Sequence, residues 1–296
     1  MSKNKGVKFI LEDISKIVEP AIYKILLSSV HKKFHNIVKY QIEAGGKRLR
    51  PALALLTCRM MGGRIKNCLY PAAALEILHN YTLILDDIID HGKLRRGKPT
   101  VWKKFGRSAA ENISMAYAAS IFDLPKYQKS RMEIDKILAK TLKAVTNGQI
   151  FDVLFEQGGR GEESYVVKNR YSRVNQRDYF LMVNQKTASL ISACLEIGGV
   201  CAGAKEKEIK ILRSSGRNIG AAFQIQDDIL EIFGEEKKFG KKIGKDIMER
   251  KLGNIVILLA ADEVNSKDKS KFIKILRKKR IEGGDLKEAI KLINKT

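Results

Sequence analysis

Proline is scarce in this chain of 296 residues, at five, and the apolar–polar alternation of half-buried strands is nearly absent. Proline breaks helix interiors and alternation marks strands, so the lack of both leaves a mostly helical protein. The four cysteines, Cys58, Cys68, Cys194 and Cys201, lack the two-residue spacing of a zinc knuckle and are too few for a disulfide framework. Buried free thiols are expected. No apolar run approaches the roughly 18 residues of a membrane-spanning helix. The start, "MSKNKGVKFILEDISKIVE", has no apolar signal core before a small-residue cleavage site. A cytoplasmic protein with no stable membrane insertion is therefore expected. Acid is short as well, with 33 Asp and Glu against 56 Lys and Arg and a net charge of +23. That balance suits a nucleic-acid surface, anionic lipid or a polyanionic small substrate, and charge alone does not choose. The lysines are spread along the chain; the dense cluster "KFIKILRKKR" (271 to 280) reads as a solvated helix face.

What is present is helical periodicity. Apolar residues recur at three- and four-residue steps, as in Ile10, Ile14, Ile17, then Ile22, Leu26, and later Leu75, Leu78, Leu85. Breakers such as "EAGGKRLRP" (43 to 51), "HGKLRRGKP" (91 to 99) and "EQGGRGEES" (156 to 164) punctuate about ten or more helices. The length admits one or two domains. With no Pro/Ser-rich linker and no solenoid repeat, one all-α domain over residues 1–296 is the economical reading.

The stretch "LILDDIIDHGKLRR" (83 to 96) concentrates opposite charge. On a helix Asp86, Asp87 and Asp90 project at about 0°, 100° and 40°, one shared arc. A lone triplet of this kind is also met as an ordinary solvated cluster. Its flanks, however, are apolar, and carboxylates beside buried surface require counter-cations. Hard oxygen donors without paired His or Cys favour Mg2+, which keeps its waters and bridges carboxylates to phosphates. A second set, Asp227, Asp228 and Glu231 in "FQIQDDILEIFG", repeats the i, i+1, i+4 spacing. Two such sets suggest facing helices that hold metal ions for a diphosphate. Lys47, Arg48, Arg50, Arg95, Arg96 and Lys241 supply phosphate-binding cations near them in sequence.

In order, "GGKRLRP", "LHNYTLILDDIIDHGKLRRGKPTVW", "GQIFD", "KTASL", "FQIQDDILE" and "FGKKIGKDI" resemble the trans-type isoprenyl diphosphate synthases, the polyprenyl synthetase family, over about residues 43 to 254. The resemblance implies the isoprenoid synthase fold, a large all-α domain around a central cavity, as a homodimer using Mg2+. It implies head-to-tail condensation of isopentenyl diphosphate with an allylic diphosphate, releasing diphosphate. Position by position, Asp86, Asp87, Asp90, Asp227, Asp228 and Glu231 match the magnesium ligands. Arg95, Lys186, Lys241 and Lys251 match residues on the allylic diphosphate. Lys47, Arg50, His79 and Arg96 match the isopentenyl diphosphate pocket. Thr187 and Gln224 match residues whose oxygens face the developing allylic cation, and Gln149 and Asp152 match the segment beside the allylic site.

Taken alone, His79 is an ordinary partly buried histidine; its spacing to Asp86 within the resemblance makes it a ligand. His31 and His35 lack a third metal ligand and read as surface residues, and "GGRGEES" lacks the lysine and strand of a P-loop and reads as a mobile loop. The family pattern is departed from twice, in Glu231, where aspartate is usual, and in "SAAENISMAYAAS" (108 to 120), where a small-Gly-Asp step is usual. A terpene cyclase leaves the "GGKRLRP" loop and Arg95–Arg96 without a diphosphate to bind. A non-catalytic subunit of a heteromeric synthase does not need two intact acidic sets, and a nucleic-acid binder does not suit acidic clusters and few surface aromatics. For product length, Tyr81 lies five positions before Asp86, about 7.5 Å along the axis, and Thr82 is small. An aromatic there resembles archaeal-type synthases making geranylgeranyl diphosphate; farnesyl or longer products are the alternative.

Overall fold

The computed structural model describes residues 3–28, 30–234, 244–278 and 281–295. In chain order its helices are α1 (Lys3–Ser28), α2 (His35–Glu43), α3 (Leu49–Met60), α4 (Ile65–Ile89), α5 (Val101–Phe105), α6 (Arg107–Ser120), α7 (Arg131–Phe155), α8 (Ser164–Asn169) and α9 (Gln176–Val183). A π-helical turn, Asn184–Ala188, leads into α10 (Ser189–Ala202). Then come α11 (Glu206–Phe233), α12 (Lys245–Glu249), α13 (Ile255–Glu263), α14 (Ser266–Leu276) and α15 (Gly283–Ile293). Among the described residues, strand structure is confined to a hairpin of β1 (Leu94–Arg95) and β2 (Lys98–Pro99) and one bridge, Glu156 to Lys251. The all-α expectation holds. No helix of the described residues is long and apolar enough to cross a membrane.

The chain forms two compact units, Met1–Lys143 with Ser189–Arg217, and Ala144–Ala188 with Asn218–Thr296. The first is organised on α4, where Ala72, Ala73, Ala74, Leu75, Ile77 and Leu78 are fully buried. Small residues on several faces let α1, α3, α6 and α10 pack on it. A Cβ at Gly198 of α10 would reach within 2.5 Å of the Ala54 carbonyl of α3, so only glycine permits that helix approach. In the region 108–120, α6 runs unbroken, and Tyr117 is buried with its hydroxyl donating to Val38 O at 2.5 Å. All four cysteines are free and buried, as expected.

The second unit has two apolar clusters. One joins Phe155, Tyr179, Met182, Ile255 and Leu258; the other joins Ile232, Ile257, Phe272, Ile275 and Leu292. Its helices begin on sequence-encoded caps. Asn175 and Asp178 form a reciprocal capping box on α9, and Asn254 and Asn265 accept backbone N–H bonds at the starts of α13 and α14. On α14, Phe272 and Ile275 are buried while Lys271 pairs with Glu288, and just beyond the helix Lys278 pairs with Asp285. The solvated-face reading of the basic cluster thus fits its described residues; 279 and 280 lie outside them. In the loop at 158–164, Arg160 has an almost buried side chain and pairs with Glu156 and Glu163. His31 is exposed, as expected, and accepts from Lys33 N.

Candidate active site

Asp86 and Asp87 occupy the last turn of α4, and Asp90 is its C-cap, with its N–H still donating to Asp86 O at 2.8 Å. Asp227, Asp228 and Glu231 occupy the last two turns of α11. Each acidic set therefore sits at the negative pole of a long helix, where its charges repel the terminal carbonyls as well as one another. Nearby cations or hydrogen-bond donors offset that cost. In the first unit Arg95 supplies one: Nε lies 2.7 Å from Asp87 Oδ2 and Nη2 2.9 Å from Oδ1, a two-pronged contact to a carboxylate that is 4% exposed. The hairpin aims it. Arg96 and Gly97 both have positive φ, 53° and 77°, as a two-residue hairpin turn with right-handed strand twist requires.

Beside this pair the first unit gathers cations. Arg50 begins α3, and Gly46 lies against the guanidinium groups of Arg96 and Arg48, which a Cβ would meet at about 3 Å. Arg48 itself is structural. It sits in the left-handed region (φ 48°), is 2% exposed, and donates to Glu19, Glu76, Gly45 O and Ile42 O. Glu76, also 2% exposed, accepts from Asn80 Nδ2 at 3.2 Å, and Gln41 donates to Asn80. Burial raises the Glu76 carboxyl's pKa against the pull of Arg48 and Arg50. His79 lies within the field of Arg50, Arg96, Arg95 and Arg48; burial first, then those charges, hold its pKa well below the ordinary imidazole value. It is neutral at pH 7, and among the described residues its buried Nδ1 has no hydrogen-bond partner. The structure thus brings Arg50, His79, Arg95 and Arg96 together; Lys47 is exposed on the adjoining loop. Tyr81 and Thr82 are half-buried on α4, with the Thr82 hydroxyl on His79 O.

In the second unit Asp228, 4% exposed, accepts from Tyr179 Oη (2.8 Å), Ile255 N (3.0 Å) and Gln224 Nε2 (2.9 Å). Burial outweighs those bonds and lifts its pKa to about 6. Gln224 Oε1 in turn accepts from Thr187 Oγ1 at 2.7 Å, so Thr187, Gln224 and Asp228 form one chain of hydrogen bonds. Lys186 and Thr187 ride on the π-helical turn, a distortion frequent at functional sites. Gly148 of α7 permits it, because a Cβ there would overlap the Lys186 backbone. Lys186 Nζ then meets Asp152 Oδ2 at 2.7 Å, while Gln149 Nε2 is buried without a partner. Glu231 uses its longer arm to accept from Asp246 N through Oε1 at 3.0 Å. Lys251 acts electrostatically on Asp152, Glu156 and Glu231. Lys241 lies outside the described residues.

Among the described residues no three His, Cys, Asp or Glu side chains converge closely enough to hold a metal ion by themselves. The donor chemistry nonetheless fits a hard divalent cation. Both sets are carboxylates at helix C-termini, and among the described residues the buried Glu231 Oε2 has no hydrogen-bond partner. Burial and the Asp246 charge push the Glu231 pKa up to about 8, so that carboxyl takes up a proton or needs a cation.

Sequence reading missed Tyr179 and Asp246 and gave Arg48 no structural task. Arg48 was visible only as one cation among neighbours, and Tyr179 carries no motif at all.

The sequence matches the polyprenyl synthetase family over residues 31–293. It is 36% identical over 264 residues to a short chain isoprenyl diphosphate synthase of Methanocaldococcus jannaschii, covering 88% of this chain and 76% of that protein. The fold matches a geranylgeranyl pyrophosphate synthetase from Pyrococcus horikoshii Ot3 with a TM-score of 0.84 at 30% identity, over 99% of this chain and 86% of that one. It also matches a polyprenyl synthase from Caulobacter crescentus CB15, complexed with calcium and isoprenyl diphosphate, with a TM-score of 0.80 at 25% identity, over 96% and 84% of the two chains. Sequence, fold and the two acidic helix ends agree, and the chain belongs to the polyprenyl synthetase family of prenyltransferases.

Proposed function

We propose that the protein condenses isopentenyl diphosphate with an allylic diphosphate, head to tail, and releases diphosphate. The observation that carries this reading is the pairing of acid with base at the end of α4: Asp87 gripped by Arg95, with Arg50, Arg96 and a neutral His79 close by. An enzyme that binds two diphosphates needs both kinds of site. Asp86, Asp87, Asp90, Asp227, Asp228 and Glu231 would hold a divalent metal, Mg2+, which would supply positive charge to offset that of the departing diphosphate.

The chain's own groups do the rest. Arg95, Lys186, Lys241 and Lys251 bind the allylic diphosphate and stabilise it further as it departs. Lys47, Arg50, His79 and Arg96 hold isopentenyl diphosphate, the neutral imidazole donating or accepting a single hydrogen bond without adding charge. The Thr187 hydroxyl and Gln224 amide, fixed by their mutual bond, present oxygen dipoles to the allylic cation. Asp152 orients Lys186, and Gln149 with Asp152 lies beside the allylic site. The departing diphosphate accepts the proton that the new chain loses, so no separate carboxylate base is required. Residues 1–296 work as one catalytic domain, as a cytoplasmic homodimer; sedimentation of the purified protein tests the dimer.

The product is geranylgeranyl diphosphate, with farnesyl diphosphate as the second choice. Tyr81, half-buried on α4 upstream of Asp86, closes the path of the growing tail. The P. horikoshii relative is named for geranylgeranyl diphosphate as well. Incubation with labelled isopentenyl diphosphate and each allylic primer, followed by sizing of the dephosphorylated products, tests reaction and length together. Absence of any prenyl product with Mg2+ present rejects the reaction; a product shorter or longer than twenty carbons rejects the length.

A further inference from the structure

No aspartate or glutamate falls between Asp90 and Glu111, although this stretch is rich in lysine and arginine. Arg95 and Arg96 turn toward the anion pocket, and Arg107 pairs with Glu111. Lys93, Lys98, Lys103 and Lys104 are exposed, and among the described residues none of them makes an ion pair. On and just after α14 and α15, by contrast, Lys271, Lys278 and Lys295 are each matched by an acid.

The four lysines lie on the hairpin segment and on α5, which directly follows it. Lys98 Nζ donates to Glu43 O at 2.9 Å and the Tyr40 hydroxyl to Pro99 O at 2.8 Å, which ties the hairpin to the end of α2. Thr100 N donates to Lys93 O at 3.1 Å. Lys104 Nζ lies 4.0 Å from the centre of the Tyr40 ring, which also meets Phe105 edge-on at 5.3 Å. Leu94, beside Lys93 and opposite Pro99 in the hairpin, is 69% exposed.

We propose that this face, made by the hairpin, α5 and the end of α2, docks on an anionic phospholipid surface. Lysines are compact point charges suited to the diffuse negative potential of such a surface, and an exposed leucine among them fits the boundary between headgroups and acyl chains. Nucleic acid would call for arginine forks and free aromatic faces. Here the arginines serve the pocket, and the Tyr40 and Phe105 rings are occupied by each other and by Lys104. The inference does not depend on which reaction the pocket performs.

Co-sedimentation of the full chain with vesicles tests it. Vesicles of phosphatidylcholine mixed with phosphatidylglycerol should bind the protein, vesicles of phosphatidylcholine alone should not, and added salt should release it. Lys93→Glu combined with Lys103→Glu should weaken binding at least about 25-fold, from roughly fivefold for each lysine lost. Lys207→Glu with Lys210→Glu, the same charge change at exposed positions on α11, should weaken it much less. Leu94→Gln alters no charge and no hydrogen bond of the side chain; it should lower binding severalfold with helical circular dichroism unchanged, so the test survives if the charge-reversed protein fails to fold. Equal binding to both vesicle types, or equal losses from the two lysine pairs, overturns the proposal. So does RNA binding that needs Lys93 and Lys103 in a protein that ignores vesicles.

Discussion

Lys186 Nζ and Asp152 Oδ2 lie 2.7 Å apart, joining the π-helical turn to α7. Burial alone would raise the Asp152 pKa, but Lys186 and Lys251 reverse the effect and bring it down to about 2. Its folded value lies below its unfolded one, so the stabilisation is complete above about pH 4 and is lost as pH falls toward 2. Asp152→Asn should therefore cost about 2 kcal/mol at neutral pH. That difference from wild type should shrink on acidification below about pH 4. Urea denaturation of both proteins across that range is the check; a difference independent of pH contradicts the pairing.

Gly148→Ala should disturb the same turn from the other side. Its new Cβ would overlap the Lys186 backbone, and the turn has to shift to admit it. A displacement of this size costs turnover on the order of 100-fold even where the fold survives. Steady-state kinetics with circular dichroism separate the two effects, and wild-type turnover would show that the turn's position is unimportant.

The buried Arg48 should matter for stability more than its exposed neighbours. Arg48→Met leaves Glu76 without its guanidinium partner in a site 2% exposed, a loss of about 3–5 kcal/mol. Adding Glu76→Gln removes the stranded charge and should restore part of it. A double-mutant cycle by chemical denaturation measures the coupling; additive effects contradict it.

The two acidic sets were legible because their spacing is helical and their flanks apolar, and Asp86, Asp87, Asp227 and Asp228 do lie on helices; that they fall in the last turns was not read from the pattern. The fold class was legible for the same reason. Arg48 was not, since its carboxylate partners Glu19 and Glu76 lie 29 and 28 residues away and nothing local separates it from Lys47 or Arg50. Tyr179 was hidden likewise, 49 residues from Asp228. Nor does the sequence show Glu231 dividing its two oxygens, one on the Asp246 backbone and one buried without a partner. Local pattern reveals which groups carry charge; long-range packing decides which charges are spent on the fold.

Tyr81→Ala should lengthen the product distribution. It removes a ring five residues before Asp86, about 7.5 Å along α4, while Thr82 stays tied to His79 O. Chromatography of dephosphorylated products is the readout; an unchanged distribution means that another side chain sets the length.

The central claim is that both acidic helix ends act in prenyl transfer with a divalent metal. Turnover of isopentenyl diphosphate with an allylic primer, measured in Mg2+ for wild type, Asp86→Ala and Asp227→Ala, tests it most directly. Each substitution removes a carboxylate rather than a core contact, so turnover should fall by about 100-fold or more while helical circular dichroism is preserved. Near wild-type turnover by either variant would contradict the account.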